Sequence, residues 1–185
     1  MNLILASASP RRRELLGTLG FPFTVRSSAA EELQEGPWMM LALENALRKA
    51  EEVAARFPDD LVIGADTVIE FEDRILGKPK DLEDAFRMLS LFSGRTHSVT
   101  TGCAIRCLSR SIRIRFAETS QVTFHRLNPE TIRRYLSLVP VLDKAGAYAI
   151  QDHGEMLVKS LEGSLDNVIG FPAERFRLPL NFLLN

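Results

Sequence analysis

Four short runs in this sequence carry side chains whose types and spacing could do chemistry on an anion. The first is Ser7, Ser9, Arg11, Arg12 and Arg13, just after a short apolar segment. A strand that gives way to a small-residue loop and then a helix leaves backbone N–H groups pointing outward, which favours a bound anion. Hydroxyls at Ser7 and Ser9 add donors, and guanidinium groups bind phosphate through paired hydrogen bonds. Each charge-assisted bond is worth roughly 1.5–3 kcal/mol. The same residues also describe a capped surface helix with a solvated basic turn, and spacing alone leaves both readings open. Three arginines are too few for a nucleic-acid groove, which makes about 6–10 phosphate contacts. They are enough for one triphosphate.

The second run is Gly64-Ala65-Asp66-Thr67, at the end of an apolar stretch. In open α/β sheets the ligand crevice lies outside the carboxyl ends of the strands. There Asp66 could hold a divalent ion or take a proton from water; a turn-capping Asp is the plainer alternative. The third is Gly77-Lys78-Pro79, in which glycine admits a close ligand and proline stiffens the loop that presents Lys78. An exposed turn lysine is the commoner fate of such a residue. The fourth is residues 143–151, with Asp143, Lys144, Tyr148 and Gln151. The Gln151 amide could read a nucleobase edge as donor and acceptor, or be tied to backbone. Outside these runs, Lys49 lies late in a helix, where a lysine also complements the helix dipole. Glu31 and Glu32 occupy a loop that could reach Asp66 as a carboxylate pair for magnesium and phosphate. His97, His125 and His153 show no ligand spacing and read as structural or surface residues.

These residues need a scaffold to position them. Residues 2–6 read as a buried strand. Ser9 is placed as the N-cap and Pro10 as the first residue of a helix that buries Leu15, Leu16 and Leu19 and ends at Gly20. Residues 23–26 form a second strand and 29–36 a loop. Pro37 opens a helix to about residue 57, with Met40, Leu43, Leu47, Ala50 and Ala54 at three- and four-residue steps. Residues 61–65 read as a strand buried on both faces. A hairpin of residues 68–71 and 74–76 turns around Glu72 and Asp73. Asp81 caps a helix with Leu82, Ala85, Met88 and Leu89 inward. Residues 96–108 and 111–124 form two long strands joined by a tight turn. Asn128 and Pro129 start a further helix through Ile132, Tyr135 and Leu136. Residues 145–159 and the final stretch read as short irregular elements, with Pro172 and Pro179 limiting any last helix. The pattern is α/β, a mixed central sheet flanked by helices, in one domain over residues 1–185.

Composition narrows the class. The chain has 185 residues, 45% of them hydrophobic and 25% charged, enough for a core without disulfides or structural metal. A net charge of −1 argues against a nucleic-acid surface, which shows as a basic excess. No apolar run approaches the length of a membrane span, and the first residues are followed by arginines rather than a cleavage site, so a cytoplasmic protein is expected. Cys103 and Cys107, four apart on a strand, would have Cα atoms roughly 13 Å apart, too far for a disulfide.

Taken in order, LILASASPRRRELL, LRKA, GADTVI, LGKPKD, LFSGRTHSVTTG, VTF, DKAGAYAIQ and EGSLDNVIGFP resemble the Maf family, also called septum-formation-inhibitor-like nucleotide pyrophosphatases. The resemblance covers nearly the whole chain. It implies a Maf/ITPase-like fold, two lobes with a deep cleft, and hydrolysis of the α–β phosphoanhydride of nucleoside triphosphates with Mg²⁺ or Mn²⁺. It assigns active-site roles to Ser9, Arg12, Glu32, Lys49, Asp66 and Lys78, with Asp66 as proton acceptor and Glu32 (Glu31 as the alternative alignment) as the second carboxylate. DKAGAY followed by IQ resembles the branch acting on dTTP and UTP, with Arg11, Thr67 and Gln151 at the positions tied to pyrimidine preference; modified pyrimidine nucleotides fall in the same class. The branch acting on 7-methyl-GTP lacks that run. The resemblance also implies a homodimer, which no apolar stripe derives on its own. The chain departs from the family at Pro140, where relatives often carry Glu, and at Asp152 and His153, where they often have Gly and a basic residue. The rival expectations are a non-catalytic nucleotide-binding regulator of cell division and a nucleic-acid-binding module.

Overall fold

The computed structural model describes residues 1–184. The strands are β1 (Leu3–Leu5), β2 (Phe23–Val25), β3 (Leu61–Phe71), β4 (Arg74–Leu76), β5 (Thr96–Cys107), β6 (Ile112–Phe124) and β7 (Val158–Glu162). The helices are α1 (Pro10–Gly17), α2 (Trp38–Arg56), α3 (Leu82–Phe92), α4 (Pro129–Leu138), α5 (Leu165–Ile169) and α6 (Ala173–Leu184). The strands form one mixed seven-stranded sheet in the order β2-β1-β3-β5-β6-β7, with β4 paired to β3. β1 runs parallel to β2 and β3, whereas β4 and β7 are antiparallel to their partners. The chain divides into two compact units. The first holds Met1–Thr67, Thr101–Glu118 and the segment from Gly170; the second holds Val68–Thr100 and Thr119–Ile169.

In the first unit, strand alternation sends successive side chains to opposite faces of the sheet. Leu3, Leu5, Leu61, Ile63, Cys103 and Ile105 pack with Leu16 of α1 and with Phe176 and Leu180 of α6. Ile4, Val62 and Ala104 lie under Ala46, Leu47, Ala50, Val53 and Ala54 of α2. Two glycines let α2 descend onto that face. A Cβ at Gly64 would lie 2.1 Å from the Ala46 carbonyl oxygen, and one at Gly102 would lie 2.3 Å from the Ala42 carbonyl. Small residues on the helix and glycine on the strands thus bring the α2 backbone down on β3 and β5. Cys103 and Cys107 are both buried free thiols.

The second unit has its own core, in which Phe71, Phe92, Phe124 and Tyr148 join Ile132 and Tyr135 of α4. His97 is inside it, stacked on Phe92 with ring centroids 4.1 Å apart and hydrogen-bonded through Nε2 to the Tyr148 hydroxyl at 2.8 Å. Burial pushes its pKa down to about 3. Asp81 and Asn128 cap α3 and α4 through side-chain bonds to Asp84 N and Thr131 N. Glu72 and Asp73 turn the β3–β4 hairpin with positive φ.

Five sequence expectations change. β3 does not stop near Ala65 but continues to Phe71, because its far half pairs with β4. Ser9 is the N-cap residue of α1 but makes no side-chain capping bond. Met40 and Leu82 are 51% and 55% exposed instead of inward. The buried stripe of α2 runs through Leu41, Ala42, Asn45 and Ala46, centred about 170° round the helix from Met40. The tail holds β7, α5 and a helix, α6, that contains Pro179. A helix-interior proline costs about 3 kcal/mol, and buried Phe176 and Leu180 on either side outweigh it.

Candidate active site

The Asp66-Thr67 dipeptide organises the candidate site. β1 ends at Leu5, and Ala6 N makes the next bond to Ile63 O at 2.7 Å. Asp66 and Thr67 therefore stand mid-strand in β3 yet beyond the end of their β1 neighbour. The strand end expected beside Asp66 is therefore that of β1, not that of β3. Alternation then splits the pair. Asp66 shares the α2 face with Gly64, and Thr67 shares the opposite face with Ala65.

On the α2 face, Lys49 Nζ lies 2.7 Å from Asp66 Oδ1 and 2.6 Å from Glu32 Oε1. Lys49 and Asp66 side chains are only 12% and 11% exposed, whereas Glu32 is 49% exposed. The ammonium thus joins an inner and an outer carboxylate. Glu31 is exposed, and of the two glutamates it is Glu32 that pairs with Lys49. Asn45, one turn before Lys49 on α2, donates from Nδ2 to Asp66 Oδ2 at 3.3 Å. The close seating of α2 on Gly64 makes these contacts attainable.

On the opposite face, the Arg12 guanidinium donates to three oxygens: Gly170 O at 3.0 Å, Thr67 Oγ1 at 3.2 Å and Ser7 Oγ at 3.4 Å. Thr67 Oγ1 is also 3.0 Å from Thr101 Oγ1, and Ser7 Oγ accepts from Ser9 N at 3.2 Å. All three acceptors of Arg12 are neutral. Burial lowers the pKa of this group, and the Asp66 carboxylate opposes the shift. An arginine stays protonated in any case. Arg12 is thus a desolvated cation whose hydrogen-bond partners among the described residues carry no charge, with three of its five N–H donors committed.

The first unit therefore gathers Ser7, Ser9, Arg12, Glu32, Lys49, Asp66 and Thr67 around one stretch of β3, with Arg11 beside Arg12 at the start of α1. Lys78 and Gln151 belong to the second unit. There the Gly77 carbonyl accepts from Gly146 N at 3.0 Å, so the loop bearing Lys78 is tied to the run that leads to Gln151. Both Lys78 and Gln151 side chains are exposed. Lys144 turns inward to Asp143 and the Pro140 carbonyl. Pro140 thus supplies Lys144 with an acceptor from backbone. Sequence reasoning missed Asn45, Thr101 and the Gly170 carbonyl. Asn45 had one visible signal, as a lone polar residue inside the buried stripe of α2.

Comparisons with known proteins identify the family. Residues 2–181 match the family described as Maf-like protein. The chain is 49% identical to a protein of Akkermansia muciniphila named dTTP/UTP pyrophosphatase, over 98% of this chain and 96% of that one. Proteins of the same name from Moorella thermoacetica and Alkaliphilus oremlandii are each 47% identical over 92% of this chain, covering 89% and 90% of their own lengths. With the family match running through every segment that builds the site, the chain belongs to the Maf family.

Proposed function

We propose that this protein is a nucleoside triphosphate pyrophosphatase that hydrolyses dTTP and UTP to the monophosphate and pyrophosphate. The observation that carries the reading is the opposition of the two clusters on β3. Arg12 is a part-buried cation with neutral protein partners, which suits a polyanion. Lys49 joins two carboxylates, which suits an ion and a water. The relatives' shared name supplies the substrate class.

The carboxylates fit a hard divalent cation. Glu32 and Asp66 converge on one point, at which they hold the Lys49 ammonium. Mg²⁺ commonly takes one or two carboxylates plus phosphate oxygens and waters. Among the described residues no group of three or more His, Cys, Asp or Glu forms a protein-only cage, so the nucleotide would complete the coordination. Mg²⁺ or Mn²⁺ held by Glu32 and Asp66 would neutralise charge on the phosphate oxygens.

The chain's own residues account for the remaining chemistry. Arg12 binds phosphate through the remaining N–H on each of Nη1 and Nη2, with Ser7, Ser9 and the α1 amides beside it. Asp66 takes a proton from water as the water oxygen bonds to the α-phosphorus. The bond from that phosphorus to the α–β bridging oxygen breaks, and its electrons leave with pyrophosphate. Positioned proton transfer is worth about 10²–10⁴-fold. Lys49 and Arg12 stabilise the leaving charge. By motif match, Lys78 contacts the phosphates, and Arg11, Thr67 and Gln151 set the pyrimidine preference. A cytoplasmic setting and a homodimer belong to the same proposal; among the described residues no helix is long and apolar enough to cross a membrane. The test is a nucleotide panel with Mg²⁺ or Mn²⁺, assayed for pyrophosphate. Fastest release from dTTP and UTP supports the reading; binding without turnover would make the protein a nucleotide sensor instead.

A further inference from the structure

Asn45 is 3% exposed in the middle of α2, at a position where the helix otherwise presents apolar or small residues to the sheet. A buried amide there is costly unless its hydrogen bonds are made. Asn45 makes them in a particular way. Its Oδ1 accepts from Leu33 N at 2.8 Å, and its Nδ2 donates to Leu33 O at 3.0 Å. The same Nδ2 reaches Asp66 Oδ2 at 3.3 Å. One side chain thus grips both backbone groups of the residue after Glu32 and touches the carboxylate of Asp66.

Glu52 and Arg56 of α2 also tie the loop, at Ala29 N and Ser27 O, but the Asn45 grip falls on the residue next to Glu32. Residues 26–37 contain no helix or strand, and Glu32 itself is half exposed. A loop of that kind holds a side chain loosely unless its backbone is tied. Pinning Leu33 on both sides fixes where Glu32 leaves the chain, and so fixes its meeting with Lys49 at 2.6 Å. The bond to Asp66 Oδ2 orients the second carboxylate and leaves Oδ1 to Lys49. We infer that Asn45 is the positioning residue of this site, setting the separation and direction of the Glu32 and Asp66 carboxylates by bridging the loop that carries one to the strand that carries the other. The inference rests on the proposed function and extends it to a residue that touches neither phosphate nor base. Residues that orient metal-binding carboxylates in this manner change metal affinity or activity roughly 10–100-fold when altered.

The test uses Asn45→Ala, which removes all three bonds, and Asn45→Asp, which retains size and the acceptor for Leu33 N but loses both donations. Val53→Ala, a buried truncation further along α2, controls for lost stability. Each protein is measured for kcat and KM with dTTP, and for Mn²⁺ affinity in complex with a non-hydrolysable dTTP analogue. Expected are a fall in kcat of at least tenfold and a matching loss of Mn²⁺ affinity in both Asn45 variants. Analogue affinity without metal should stay within about threefold, because Arg12 is untouched. Val53→Ala should melt lower yet bind Mn²⁺ like wild type. Wild-type kcat and Mn²⁺ affinity in both Asn45 variants would overturn the inference and leave the pyrophosphatase reading standing; equal Mn²⁺ loss in Val53→Ala would reduce Asn45 to a stability residue. Absence of turnover by wild type would instead overturn the functional reading.

Discussion

Replacing Gly64 with alanine tests how tightly the site depends on the seating of α2. The added Cβ would lie 2.1 Å from Ala46 O, 2.9 Å from Ala50 N and 3.1 Å from Ala50 Cβ. None of these is the end of a flexible side chain, so relief requires the helix and strand to separate. Bringing the closest contact to 3.0 Å takes about 0.9 Å of movement. The same movement would stretch Asn45 Nδ2 to Asp66 Oδ2 from 3.3 Å to about 4.2 Å, beyond a hydrogen bond. Lys49 has a long stem and can follow; Asn45 cannot. Overpacking of this kind costs about 1–3 kcal/mol, and a misplacement near 1 Å costs about 10²-fold in rate. We expect Gly64→Ala to unfold several degrees lower and to lose roughly 10²-fold in kcat with dTTP. Gly17→Ala is the comparison: nothing lies within 4 Å of its added methyl, and in a helix it should stabilise by about 0.5–1 kcal/mol with activity unchanged. Thermal unfolding and initial rates of pyrophosphate release measure both. Wild-type melting and turnover in Gly64→Ala would refute the reasoning, because α2 would then not be seated as described.

Other expectations follow from individual contacts. Arg12→Lys keeps the charge but loses the fork that spans Gly170 O, Thr67 Oγ1 and Ser7 Oγ; losing one or two such bonds at roughly 1.5–3 kcal/mol each predicts about a 10²-fold fall in kcat/KM, and a change below threefold would contradict it. Lys49→Met leaves Glu32 and Asp66 facing each other without their shared cation; turnover should fall while Mn²⁺ binding in the absence of nucleotide tightens, as read by isothermal titration. His97 has its pKa lowered by burial to about 3, so below pH 6.5 the unfolded chain takes up a proton that the folded chain refuses. Its contribution to stability is constant above pH 6.5 and falls by up to about 1.4 kcal/mol per pH unit below it. The stability gap between wild type and His97→Gln, measured by urea unfolding, should narrow from pH 7 to pH 5; a constant gap would contradict the buried neutral imidazole.

Where local chemistry dictates structure, the sequence was legible. Asp81 and Asn128 capped the helices they precede. Glu72-Asp73 turned the expected hairpin, and the two long strands ended within a residue or so of their expected limits. The Asp66-Thr67 run could be singled out by its carboxylate after an apolar stretch. Its true position could not, because β3's continuation depends on pairing with a strand that lies further along the chain. The α2 stripe was misassigned at Met40 for a related reason: Asn45 is polar, and apolar periodicity passes over a buried residue whose bonds are made to the loop that precedes its helix. Pro179 read as a helix stop because its propensity is local, whereas burial of Phe176 and Leu180 is not. The acceptor at Gly170 left no trace at all, since every residue has a carbonyl and only the fold aims this one at Arg12.

The most direct test of the central claim is single-turnover hydrolysis of dTTP by Asp66→Asn beside wild type, at protein concentrations above the nucleotide's dissociation constant. The substitution keeps the shape of the side chain on β3 while removing its charge and its capacity to take a proton. Wild type should yield dTMP and pyrophosphate in equal amounts with no orthophosphate, and the variant should bind dTTP and still lose at least about 10²-fold in rate. Turnover at the wild-type rate, or dTDP and orthophosphate as products, would contradict the account.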